Sequence, residues 1–257
     1  MRGWWQELAG LVLPGACAGC GAARTVLCAG CRRALDGVAA GPVRPSGRLR
    51  GLPPVYGAAV YEGAVRAVLL AHKERGALAL AGPLGAALAA AVAAVPAVAA
   101  GGPVPAGVGG GAAGPEVVLV PVPSARRQVR ARGHDPVRRI ALAAAARLRR
   151  AGVAARVASV VRQVRPVADQ AGLGARERRE NLSGALGVGR GGVRAVAGAR
   201  IVLVDDVITT GATLAEAARA LAAAAAGPVA GAAVVAAPSG SFVRIQSSTR
   251  TEQHSCE

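Results

Sequence analysis

The chain has 257 residues, with 31 basic against 14 acidic side chains, a formal net charge of +17 and five aromatic residues. That length suits one α/β domain with a small appendage, long enough to bury a sizeable core. The charge draws polyanions such as pyrophosphate or nucleic acid, but Trp4, Trp5, Tyr56, Tyr61 and Phe242 are too few to supply a base-stacking platform for single strands.

Lys73 is the only lysine, and residues 124–180 hold 15 arginines against 4 acids. The frequent Ala, Gly, Arg and Pro suggest a GC-rich coding sequence, which inflates Arg regardless of function. Near the amino terminus Gln6 and Glu7 interrupt the apolar stretch expected of an export signal. The expectation is a cytoplasmic protein.

Residues 17–31 carry Cys17-x-x-Cys20 and, seven residues on, Cys28-x-x-Cys31. Two such turns complete a closed four-thiolate shell for a structural zinc ion. Two disulfides or a redox pair are the alternatives; a reducing cytosol and the lack of a preceding thioredoxin-like strand argue against them. So short a segment cannot build a core, and metal binding would supply its ordering energy. We take residues 1–36 as an N-terminal segment with this zinc-ribbon-like module. Pro, Gly and Arg then mark 37–54 as a linker.

Residues 55–237 read as one α/β domain. Val55–Tyr61 is a predicted strand and Gly63–Ala71 the helix after it. Lys73, beyond that helix, is a cation able to reach a phosphate or simply to suit a helix end, and His72 is read as a bystander. Residues 77–115 lack charge, but Pro83, Pro96, Pro103 and Pro105 break them. They read as a buried helix followed by a flexible insert over about 96–115, not as a membrane span. Glu116–Val120 is a predicted buried strand ending in Pro121-Val122-Pro123-Ser124-Ala125-Arg126-Arg127, a loop of oxygen-seeking donors shaped by prolines. Asp135 and Pro136 fit an N-cap and first helical position, with the helix running to about Arg150. Ala155–Val161 is the next predicted strand.

Arg176-Glu177-Arg178-Arg179-Glu180-Asn181 suits either a mobile lid over a ligand or a solvated basic helix. Ile201–Val204 is a buried strand followed by Asp205-Asp206-Val207-Ile208-Thr209-Thr210-Gly211-Ala212-Thr213 and an Ala-rich helix to 226. Two carboxylates offer acceptors for paired hydroxyls. The Thr hydroxyls, the amides near Gly211 and Ala212 and the helix N-terminus offer donors for a phosphate. One loop thus fits a ribose-phosphate. Val229–Ala236 is the last strand, and 238–257 a polar tail in which Cys256 needs no role.

With Asp205-Asp206 and Thr209–Thr213, the Pro-Val-Pro turn, Tyr61-x-Gly63-x-x-Arg66, Lys73-x-x-Gly76, Arg132-Gly133 and Arg178-x-x-Asn181, the chain resembles the ComF family and, more widely, type I phosphoribosyltransferases. Asp135 and Pro136 depart from the family's Asn-Gln at that place. The resemblance implies a parallel-sheet type I phosphoribosyltransferase-like domain binding 5-phosphoribosyl-1-pyrophosphate with Mg²⁺. In it Asp205 and Asp206 are catalytic, Thr209, Thr210, Gly211, Ala212 and Thr213 hold the 5′-phosphate, and Ser124, Arg126, Arg127, Arg178 and Lys73 meet the substrate's anionic groups. It further implies an association with DNA uptake, through phosphoribosyl transfer to an unidentified acceptor, sensing of the ligand, or contact with single-stranded DNA or competence proteins.

Overall fold

In the computed structural model, residues 15–36, 40–46, 49–101, 115–167 and 175–243 are described. The expectations on Cys256, on the amino-terminal 14 residues and on most of the insert lie outside them.

The centre is a six-stranded sheet. Its strands are β1 (Gly41–Val43), β2 (Val55–Val60), β3 (Val117–Pro121), β4 (Ala155–Val157), β7 (Arg200–Val207) and β8 (Val229–Ala237), in the order β1-β2-β8-β7-β3-β4. All neighbours are parallel except β1, which runs antiparallel to β2. β3 is buried along its whole length, as continuous Val/Leu runs in a sheet covered on both faces should be.

One face packs against α2 (Gly63–Glu74), α3 (Ala81–Ala93) and α6 (Pro136–Arg150); the other packs against α9 (Ala212–Ala223). In α6 the Asp135 side chain accepts from the Arg138 amide, Pro136 opens the helix, and Val137, Ile140, Ala141, Ala144, Ala145 and Leu148 turn to the core. A Cβ at Gly85 in α3 would collide with Ala143 of α6, so the glycine lets these two small-residue helices close on each other. Short helices α4 (Pro96–Ala99), α5 (Arg126–Arg132), α7 (Ala175–Leu182) and α8 (Gly192–Val196) complete the described set, with α1 (Ala29–Asp36) in the cysteine module.

Three segments differ from the sequence reading. Ala155–Val161 is not one strand. β4 ends at Val157, Ala158–Val160 makes a tight turn (Val160 N–H to Ala158 C=O, 2.9 Å), and β5 (Val161–Gln163) pairs instead with β6 (Leu186–Val188) as an antiparallel ribbon. An i→i+2 turn re-aims a chain without changing its apolar pattern, so periodicity cannot locate it. Residues 41–43 of the expected linker add β1 to the sheet edge, where Pro42 is tolerated. The tail begins with folded residues: Phe242 bridges to Val43, and the Val243 amide donates to Pro42 C=O at 3.1 Å.

β3 leads through α6 to β4 on one side, while β7 leads through α9 to β8 on the other. The chain therefore reverses its winding between β3 and β7. In an open parallel sheet the loops leaving the carboxyl ends of such a pair diverge and leave a crevice.

Candidate active-site cleft and cysteine cluster

A cleft of about 700 Å³ occupies that crevice. Ser124 and Ala125 line it from the loop after β3, Arg127 from the first turn of α5, Asp205, Asp206, Thr209 and Thr213 from β7 and its loop, and Lys73 and Glu74 from the end of α2. The loop after β3 stays close because Val122 N–H donates to Val204 C=O at 3.0 Å. Thr210, Gly211 and Ala212 form, with Asp205, Thr209 and Thr213, a small cup of about 30 Å³ at the start of α9. The cup thus meets the cleft through shared walls. Gly211 has φ +78°, the left-handed conformation that turns β7's exit loop into the helix.

Electrostatics divide the two acids. Lys73 Nζ donates to Asp206 Oδ2 at 2.7 Å, and Asp206 Oδ1 accepts from the Val207 amide at 2.9 Å. Burial works against the Asp206 charge, but Lys73 outweighs it and holds the carboxyl below the usual range. Asp205 Oδ1 accepts from the Asp206 amide at 2.8 Å. Burial, reinforced by the Asp206 charge beside it, pushes Asp205 well above the usual range. Burial likewise opposes the Lys73 charge, and Asp206 more than compensates, raising the ammonium above the ordinary lysine value. Adjacent carboxylates that share one cation separate their protonation in this way. Lys73 therefore faces the cleft already engaged with Asp206, not as a free phosphate cation.

Arg126 lies in α5 and Arg178 in α7, but the structure does not describe their side chains. Residues that the sequence reading did not place in the site also line the cleft: Glu74, Arg132 and Gln163, with Leu182 and Leu186 forming an apolar wall. Arg132 belonged to the Arg132-Gly133 motif, so it carried a signal. Gln163 had none, because its position depends on the β5–β6 ribbon. Behind the cleft, His72 is buried with its ring edge against His134. His134 places Nδ1 3.1 Å from Arg132 C=O and Nε2 3.2 Å from His72 C=O. His72, read as a bystander, is thus a structural contact.

A larger cavity of about 990 Å³ runs between residues 49–54 and α9. Its wall is mostly apolar and lacks both aspartates and the Thr hydroxyls, so it does not offer the same chemistry.

The ligand atoms of Cys17, Cys20, Cys28 and Cys31 all lie within 4.8 Å of one another. Cys20 and Cys28 Sγ are 3.6 Å apart, and all four are free thiols. A disulfide needs about 2.05 Å, whereas thiolates about 2.3 Å from a tetrahedral zinc stand about 3.8 Å from each other. The donor set fits zinc. Backbone N–H groups of Cys20 and Cys28 favour the Cys17 thiolate, lowering its pKa to about 6, and the Cys28 amide approaches Cys17 Sγ at 3.3 Å. Burial instead raises Cys31, a penalty that a bound cation would reverse.

Residues 151–253 match the family model of the phosphoribosyl transferase domain. The match takes in β4 to β8, hence Asp205, Asp206 and the Thr209–Thr213 loop, but not Ser124 or Lys73. No curated protein gives a match to the chain. The molecule is thus mixed α/β with a mostly parallel sheet, a phosphoribosyl transferase domain and an N-terminal four-cysteine cluster. Among the described residues, no helix is long and apolar enough to cross a membrane.

Proposed function

We propose that this phosphoribosyl transferase domain binds 5-phosphoribosyl-1-pyrophosphate and acts as a ComF-type protein. The observation that carries the reading is the meeting of two acids, a Thr-Gly-Ala-Thr cup and an Arg/Ser loop around one cleft at the β3/β7 reversal. Asp205 and Asp206 would accept from the ribose hydroxyls. Thr209, Thr210, Gly211, Ala212 and Thr213 would hold the 5′-phosphate with hydroxyls, amides and the helix dipole. Ser124, Arg126, Arg127 and Arg178 would meet the pyrophosphate.

Transfer to an acceptor would break the bond between the anomeric carbon and the pyrophosphate oxygen, whose electron pair leaves with pyrophosphate. Positive charge would grow at that carbon beside the two acids, while the arginines stabilise the departing anion. Mg²⁺ usually keeps several waters and bridges substrate phosphates. Two adjacent carboxylates on the cleft wall fit such an ion carried in with the substrate, where it would neutralise pyrophosphate charge. Zinc, held by Cys17, Cys20, Cys28 and Cys31, would have a folding role only.

Phosphoribosyl pyrophosphate with Mg²⁺ should raise the melting temperature, and Asp206→Asn with Thr210→Ala should abolish the rise. No rise at millimolar ligand would sink the reading. Pyrophosphate release on screening bases, amines and DNA would then tell transfer from sensing.

A second reading, an accessory protein that contacts single-stranded DNA, draws support from Arg138, Arg139, Arg147 and Arg150, all exposed on α6. A role in DNA uptake, implied by the family resemblance, and a cytoplasmic location, expected from the interrupted amino-terminal apolar stretch, are part of this proposal.

A further inference from the structure

We infer that Arg132, held in place by Glu74, supplies a further oxyanion-binding guanidinium to the cleft, on its pyrophosphate side. The inference rests on the phosphoribosyl pyrophosphate reading above and extends it to the far end of α5, the helix that begins with Arg126 and Arg127.

Arg132 is the last residue of α5, and its side chain is only 15% exposed. Nε and Nη2 donate to the two oxygens of Glu74 at 3.0 and 2.7 Å, a bidentate fork. The third nitrogen, Nη1, is buried and has no acceptor among the described residues. Arg132 and Glu74 line the same cleft as Ser124, Arg127, Lys73 and Asp206. A buried N–H without a partner carries an uncompensated desolvation cost. Nη1 is closed off in this conformation, so an oxyanion on this wall would remove that cost through a small shift that exposes it.

The geometry around Arg132 is fixed from both ends. Glu74 holds the guanidinium plane, while the imidazole of His134 contacts the Arg132 carbonyl and the carbonyl of His72. Consecutive residues 72, 73 and 74 of α2 therefore reach His134, Asp206 and Arg132 in turn. A guanidinium whose fork is already satisfied loses little freedom on gripping a further oxygen. Lysine in its place would have one compact ammonium, drawn to Glu74, and no rigid third donor. The ligand chemistry is that of a phosphate oxygen, supplied by the pyrophosphoryl group of the substrate or by free pyrophosphate.

Titration calorimetry on the full chain, wild type against Arg132→Lys and Arg132→Met, tests this with three probes. Both variants should bind inorganic pyrophosphate and phosphoribosyl pyrophosphate, each with Mg²⁺, about tenfold or more weakly, as expected for loss of a charge-assisted bond. Ribose 5-phosphate, which lacks the pyrophosphate, should bind within about twofold of wild type, and that arm also reports that the variants are folded. Equal weakening of all three probes would mark Arg132 as merely structural. Wild-type affinity for pyrophosphate in Arg132→Lys would also overturn the inference. If wild type binds pyrophosphate but neither sugar phosphate, the phosphoribosyl reading fails, and the pyrophosphate arm still decides the role of Arg132.

Discussion

Gly211 shows how one residue serves both backbone and ligand. Its φ of +78° is costly for a side chain, and an added Cβ would meet Leu52 at 3.0 Å and Pro45 at 3.3 Å. Those two residues come from the segment between the cysteine module and β2. Gly211→Ala should destabilise the protein by about 1–2 kcal/mol in urea unfolding. It should also weaken binding of ribose 5-phosphate more than that of inorganic pyrophosphate, since the cup and not the Arg132 wall is displaced. Equal affinities for ribose 5-phosphate before and after the change would argue that the cup is not the phosphate seat. The need for glycine was legible in Thr-Gly-Ala-Thr. Its contact with Leu52 was not, because nothing local relates residues 52 and 211.

At the scale of elements, Glu216 joins the β5–β6 ribbon to α9. It is buried in α9, accepts two bonds from Arg219 at 2.7 Å each and one from the Leu186 amide at 3.2 Å, and Arg219 in turn donates to Leu186 C=O at 3.0 Å. Burial opposes its charge, but Arg219 and the Leu186 amide lower its pKa below the ordinary value. A carboxyl with a lowered folded pKa binds fewer protons than in the unfolded chain. Its contribution is therefore complete above the unfolded pKa, near 4.5, and is lost as pH falls through the lower folded value. Glu216→Gln should cost about 1–3 kcal/mol at pH 7 and flatten this part of the acid limb in denaturant melts across pH. A variant whose stability tracks wild type at every pH would show that the ribbon does not depend on this contact. The heptapeptide Ala155–Val161 reads as one strand by its apolar spacing, yet only pairing partners decide that its halves belong to different sheets.

For the whole molecule, the cysteine module is part of the main core and not a separate bead. Cys17, Cys31 and the fully buried Leu35 share one apolar cluster with Val65, Val68, Leu84 and Leu88 of α2 and α3. A Cβ on Gly19 would meet Cys31 and Ala64. Metal loss should therefore be felt across the domain. We expect about one zinc per chain by metal analysis, its loss in Cys20→Ser, and a lower melting temperature of the whole protein after strong chelation. A chelated protein that melts as before would sever the module from the fold's stability.

Sequence by itself determined the four-cysteine spacing, the buried strands of the parallel sheet, the acid pair with its Thr-Gly turn, and the Asp135-Pro136 helix start. Each of these is written in neighbouring residues, through periodicity, caps or ligand spacing. Tertiary structure alone decided that Lys73 is spent on Asp206, that Glu74 aims Arg132, that β5 leaves the sheet, and that residues 45 and 52 cover Gly211. These are meetings between segments tens of residues apart, and their geometry follows from how β3 and β7 sit side by side. No local pattern encodes that adjacency; the packing of helices on both sheet faces creates it.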